Sequence, residues 1–164
     1  MDTLIMPTTP EIWEALETVV DPEIPVVSLV EMGIIRSVQI VGQAVNIAIT
    51  PTFSGCPALH VMQADIRKKI KSLGVPEVTV TVVWSPPWST DRILESGRQK
   101  LKAFGLAPPK LHGGNVSLVL FDPVACPYCD SENTALRNAW GSTPCRMIHY
   151  CNQCSQPFEQ FKPL

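Results

Sequence analysis

The chain has 164 residues, 45% hydrophobic and 17% charged, with a formal net charge of −2 and a pI near 5.9. This size suits one ordinary globular core plus a small appendage, and the acidic balance argues against a nucleic-acid partner, whose phosphates need a basic excess. No basic, signal-like start and no apolar run of about 18 residues is present, so cytoplasmic residence, no membrane contact and reduced cysteines are expected.

Thr8 or Thr9 can cap a first helix, with Pro10 and Glu11 suited to its first turn. Ile12, Ala15, Leu16, Val19 and Val20 recur at helical spacing, and Asp21-Pro22 stops the run. Pro22-Glu23-Ile24-Pro25 reads as an ordered loop. Residues 34–41 and 44–50 predict a β-hairpin about Gly42-Gln43, glycine first as a type II′ turn prefers. In that register Ile40 faces Val45 and Val38 faces Ile47, leaving one apolar face. A second helix is expected over 57–73, with Leu59, Met62, Ile66, Ile70 and Leu73 as its buried stripe and Gly74 and Pro76 at its end.

Val78, Val80, Val82 and Trp84 alternate with Thr79 and Thr81, which predicts a third strand. After Pro86-Pro87 a third helix is expected over 90–104, closed by Gly105. The proline- and glycine-rich stretch to Asn115 marks a boundary, and 116–121 reads as a strand. The expected fold class is α+β: a small three-stranded sheet with helices packed against it, followed by a β-rich four-cysteine metal ribbon. The expected domains are 1–108 and 116–164, joined by a linker at 109–115.

Four of the six cysteines form two matched turns, Cys126-Pro127-Tyr128-Cys129 and Cys151-Asn152-Gln153-Cys154. Each turn aims two sulfurs at one centre, and two turns make a four-thiolate cage of the structural-zinc kind. Four thiolates also suit iron or an iron–sulfur cluster. A module of about 50 residues buries too little to hold itself together, so metal coordination is expected to supply much of its folding energy. Cys145 and His149 lie between the turns and belong to neither, and His149 is expected on a ribbon strand.

Cys56 is the isolated thiol of interest. With Pro57 at the first helical position, Cys56 would be the N-cap of the second helix, where the helix dipole favours a thiolate. His60 lies one turn further on. The alternative is a small buried cysteine in a strand-to-helix turn. Asp21 and Glu23 put two carboxylates on a rigid turn, or simply stop a helix. Trp84-Ser-Pro-Pro-Trp88 offers either exposed aromatic surface or cover for a core. No phosphate-binding glycine loop, two-histidine metalloprotease motif or recognisable Ser/His/Asp context is present.

Asp21-Pro22-Glu23-Ile24-Pro25, the Thr50-Pro51-Thr52 loop and Gly55-Cys56-Pro57 resemble, in this order, the small α/β domain of iron–sulfur assembly factors. That family includes SufT-like bacterial proteins and the eukaryotic cytosolic iron–sulfur targeting subunit. Joined to Trp84-Ser-Pro-Pro-Trp88, the Phe104–Pro109 linker and a four-cysteine ribbon, the chain resembles the family of D components of the phenylacetyl-CoA 1,2-epoxidase (ring-hydroxylating monooxygenase) system of aerobic phenylacetate degradation. It departs from the usual pattern with Asp130 in place of a knuckle glycine and with Trp140 before Gly141.

The resemblance implies a non-catalytic accessory role, assisting iron or iron–sulfur cofactor maturation. Cys56, Asp21 and Glu23 are then candidate ligands of a transient iron or cluster site. The implied partners are the iron-containing oxygenase and iron–sulfur reductase components, and a homodimer is allowed. The chain itself has no Glu-x-x-His bundle for oxygen activation. The alternatives are a structural or regulatory subunit of the monooxygenase, and, in another class, a thiol enzyme using Cys56.

Overall fold

A computed structural model describes residues 6–164. The chain divides into two compact units, the first ending at Trp88 and the second running Ser89–Leu164. Among the described residues the elements are α+β in class, with three α-helices and two separate sheets.

In the first unit, helix α1 spans Thr9–Leu16 from the N-cap Thr8. The Glu11 carboxylate accepts both the backbone N–H and the hydroxyl of Thr8 at 2.7 Å, satisfying a donor that the helix start leaves free. Ile12, Ala15 and Leu16 turn inward. The helix stops earlier than Asp21 because the Thr18 hydroxyl and the Val19 N–H turn back on the Ala15 and Leu16 carbonyls. Val19 stays buried, whereas Val20 is exposed and bridges Ser28.

Strands β1, Ile35–Val41, and β2, Ala44–Ile49, form the expected antiparallel hairpin, with Ile40 opposite Val45 and Val38 opposite Ile47. Gly42 has φ +62° and Gln43 has no positive φ, the signature of a II′ turn. Helix α2, Leu59–Lys71, buries Met62, Ile66 and Ile70, while Leu59 and Leu73 are half-buried at its ends. It crosses over to strand β3, Glu77–Val82, which pairs parallel to β2. The sheet order is β1-β2-β3. Val45, Ile47 and Ile49 lie buried in it, in one core with Ile12, Leu16, Ile66 and Ile70. Trp84 falls beyond the strand and is 51% exposed. Trp88 is buried, its indole N–H donating to the Met32 carbonyl at 2.9 Å.

The second unit begins with a 3-10 turn, Thr90–Arg92, and helix α3, Glu95–Ala103. Gly105, at φ +89°, reverses the chain into a two-residue strand β4, Leu106–Ala107. The remaining strands are β5, Thr134–Asn138, β6, Arg146–Cys151, and β7, Pro157–Phe161, in the order β4-β7-β6-β5. The division at Trp88 is earlier than the expected linker at 109–115. Its cause is β4, which pairs parallel with β7 and contacts α3, drawing that helix into the ribbon unit.

The strand expected at 116–121 is not formed. Val116–Leu118 is a 3-10 turn, and Leu118, Val119 and Leu120 donate to the Asn115 and Val116 carbonyls. With Gly113 and Gly114 at positive φ before it and Pro123 after it, the segment closes its hydrogen bonds locally.

A polar hub ties this unit's ends together. The Asp91 carboxylate accepts the backbone N–H groups of His112 and Gly113, at 3.0 and 2.8 Å. His112 is buried, its Nε2 lying 3.0 Å from the Leu164 carbonyl oxygen.

Candidate metal centre

Cys126 and Cys129 lie on the turn before β5, while Cys151 ends β6 and Cys154 lies on the turn into β7. The β5–β6 hairpin accounts for the 21 residues between Cys129 and Cys151, and its register brings Thr134 opposite Cys151. The turns have related geometry. Asp130 and Ser155, each following its turn's second cysteine, both take left-handed φ, 61° and 59°. In the first turn Asp130 N–H donates to the Cys126 carbonyl and Cys126 N–H to the Ser131 carbonyl.

The four sulfurs lie within 4.8 Å of one another. Cys126 and Cys154 are 3.7 Å apart and Cys129 and Cys151 are 3.6 Å apart, all as free thiols. A tetrahedral metal with sulfur bonds of about 2.3 Å requires edges of about 3.8 Å, so the donor set fits a four-coordinate thiophilic metal. Cys126 and Cys151 are buried in a small core with Ala107 and Phe158, against which Val124 and Cys154 pack. Three of the four thiols are therefore part of the hydrophobic core of this module or packed against it, and Cys129 is exposed.

Backbone donors tune the sulfurs. The Cys154 N–H lowers Cys151 to about 7, opposed by burial and assisted by the Gln153 N–H. Burial first, then the neighbouring thiols, pushes Cys154 up to about 12. Cys151 is thus readily converted to the thiolate that a metal requires. Cys145 stays outside the group, its sulfur 3.0 Å from the Thr143 hydroxyl. His149 lies on β6, buried and stacked on Phe158 with ring centroids 5.5 Å apart.

Cys56 is half-buried in the loop between β2 and α2, and it is not the N-cap expected of it. Ala58 takes that position, because Pro57 and Ala58 form a turn in which Leu59 N–H donates to the Cys56 carbonyl at 3.3 Å. The helix-dipole reason for a lowered Cys56 pKa therefore falls away. Asp21 is buried and its Oδ1 accepts the N–H groups of Glu23 and Ile24, at 2.7 and 3.0 Å, so it shapes its own loop. Glu23 is half-buried. Cys56, Asp21 and Glu23 do not converge into a preassembled set of three ligands among the described residues. The Asp91–His112 hub was not foreseen. Its partners are 21 residues apart and carry no local spacing signal.

The chain matches two family descriptions, "Iron-sulfur cluster assembly protein" over residues 9–83 and "PaaD zinc beta ribbon domain" over residues 120–162. An Escherichia coli K12 protein, provisionally named as the D component of 1,2-phenylacetyl-CoA epoxidase, is 36% identical over 98% of this chain and 96% of its own length. The chain belongs to this PaaD-like family. An "Fe-S protein maturation auxiliary factor" of Porphyromonas gingivalis W83 is 32% identical over 62% of the chain and 97% of its own length. The crystal structure of a domain of unknown function from Bacillus anthracis has a TM-score of 0.53 at 32% identity, covering 56% of this chain and 89% of that one. The ribbon match spans all four clustered cysteines, and the assembly match contains Asp21, Glu23 and Cys56. No described helix is long and apolar enough to cross a membrane.

Proposed function

We propose that this PaaD-like chain is a non-catalytic maturation factor of a phenylacetyl-CoA epoxidase system, helping its components acquire iron or iron–sulfur cofactors. The observation that carries this reading is the union, in one chain aligned almost end to end with an epoxidase D-component relative, of an assembly-family unit and a thiol ribbon. In this reading Cys126, Cys129, Cys151 and Cys154 hold zinc permanently and keep the ribbon folded. Cys56, on a half-exposed loop, is the transient soft ligand, with Glu23 and Asp21 as hard donors supplied on demand. The domains are the assembly unit and the ribbon unit, and the clients are the iron-containing oxygenase and the iron–sulfur reductase.

The test is co-production of those components with and without this protein, followed by direct measurement of their iron and cluster content. Under-loaded components in its absence, and in the presence of Cys56→Ala, are expected. Addition to fully loaded components is expected to leave turnover unchanged. A requirement for the protein at every turnover would make it a working subunit and overturn the maturation role. Elemental analysis separates zinc from iron at the ribbon, and visible absorbance would reveal a cluster.

A further inference from the structure

The cage holds its four sulfurs unequally. In each knuckle the first cysteine is closed off and the second is open: Cys126 and Cys151 are both 0% exposed, whereas Cys129 is exposed and Cys154 half-buried. Two close sulfur contacts, Cys129–Cys151 at 3.6 Å and Cys126–Cys154 at 3.7 Å, run between the knuckles. Each joins an outer sulfur to an inner one. A disulfide of about 2.05 Å would need each pair to close by roughly 1.6 Å.

The knuckles are also clamped to each other without a metal. Asn152, inside the second knuckle, donates its backbone N–H to the Asn133 carbonyl at 2.9 Å and its side-chain amide to Asn133 Oδ1 at 3.0 Å. Thr134 next to Asn133 sits opposite Cys151 in the β5–β6 register. This backbone keeps the inner sulfur of one turn facing the outer sulfur of the other.

From these contacts we infer that the ribbon is a redox switch: peroxide converts its zinc cage into two disulfides between the knuckles, Cys129–Cys151 and Cys126–Cys154. Zinc has no redox chemistry of its own, so the electrons come from sulfur. The exposed Cys129 thiolate attacks one oxygen of hydrogen peroxide, the O–O bond breaks, hydroxide leaves and a sulfenic acid remains. The Cys151 thiolate then attacks that sulfur, an S–S bond forms and a second hydroxide leaves. The same two steps join Cys154 to Cys126. Two peroxides thus take four electrons from four thiolates, giving two disulfides, four hydroxides and a released divalent cation. The new bonds close loops of 22 and 28 residues and tie the two turns together, so the oxidised ribbon stays folded without metal. The inference rests on the zinc assignment and not on the maturation role.

The test treats the full-length, zinc-loaded protein with hydrogen peroxide. Zinc release is read with a chromophoric chelator, and bridges are mapped in unreduced peptides. Four cage thiols should be lost for each zinc released, with the two named bridges found and Cys56 and Cys145 outside them. The oxidised, zinc-free ribbon should keep dispersed amide NMR signals, whereas reduced protein stripped by a chelator should lose them there. Dithiothreitol plus zinc should restore the starting state. Bridges within the turns, Cys126–Cys129 and Cys151–Cys154, overturn the inference, because they leave the turns untied. Sulfinic acid in place of bridges, a bridge to Cys56 or Cys145, or an oxidised ribbon as disordered as the stripped one overturns it equally. So does zinc retained at peroxide levels that oxidise free cysteine. Elemental analysis that finds iron or a cluster instead of zinc refutes the zinc assignment and the inference together. Zinc with other pairings refutes the inference alone, and neither result touches the maturation role, which the client loading experiment decides.

Discussion

Ser155 and Asp130 hold the positions where a knuckle turn asks for left-handed backbone, and neither is glycine. An L side chain there costs roughly 1–2 kcal/mol, less for aspartate, whose short polar chain tolerates the region. Ser155→Gly is therefore expected to stabilise the ribbon by about 0.5–1 kcal/mol, read as a higher denaturant midpoint at constant slope. Asp130→Gly should gain less, because it also removes the ion pair with Lys102. Gly105 is the converse case. At φ +89°, an added Cβ would lie 3.0 Å from the Tyr128 hydroxyl oxygen, so Gly105→Ala should destabilise the second unit by about 1–3 kcal/mol. At the cage, Cys151→Ser removes one ligand of four and should release the metal, with elemental analysis as the check. Cys151 sits near 7, so lowering the pH through that value puts a proton in competition with the metal. Apparent metal affinity should accordingly fall with decreasing pH across neutrality, measured by competition with a chromophoric chelator.

At the scale of elements, α2 holds the first unit together. Ile66 is fully buried between the helix and the sheet, and Ile66→Ala should cost about 2–5 kcal/mol, visible in the unfolding midpoint of that unit. The second unit depends more on polar ties. Burial alone would raise Asp91, but the N–H groups of His112 and Gly113 and the His112 ring hold it below the ordinary carboxylate range. Glu159 is likewise lowered despite burial, by the Ser142 N–H and Arg146. Both contribute stability that is present above about pH 4 and lost as pH falls through their lowered values. Glu159→Gln should be less stable at neutral pH and less acid-sensitive than the wild type below pH 4, as followed by circular dichroism.

The elements legible in advance were those with local periodicity. The hairpin register was readable from alternation about Gly42, and the α2 stripe from its 3.6-residue spacing. Cys56 at the N-cap was misplaced because Pro57 suits a turn before the helix as well as its first position. The apolar run at 116–121 suggested a strand, but the backbone there closes its hydrogen bonds locally in a 3-10 turn. Strand β4 was invisible, since two residues carry no period and its partner β7 lies 50 residues on. The four-cysteine cage was readable because paired Cys-x-x-Cys turns encode their geometry in the spacing itself.

For the whole molecule, the two units are expected to lose structure separately. Chelation should melt the ribbon, whose small core includes two of its own ligands, while the first unit keeps its aliphatic core. Calorimetry should then show one transition lost and one retained, and a single cooperative loss of both would contradict this division. The parallel pairing of β2 with β3 has a topological consequence. Parallel strands send their outgoing loops from the same rim, and with Ile49 beside Val82 those loops are the one bearing Cys56 and the one bearing Trp84. Whatever reaches the thiol must approach the rim from which an exposed indole also emerges, so the protein carries a native fluorescent reporter on the edge that bears Cys56. An energy acceptor attached at Cys56 should quench Trp84 emission, and the loss of that quenching in Trp84→Phe would identify the donor.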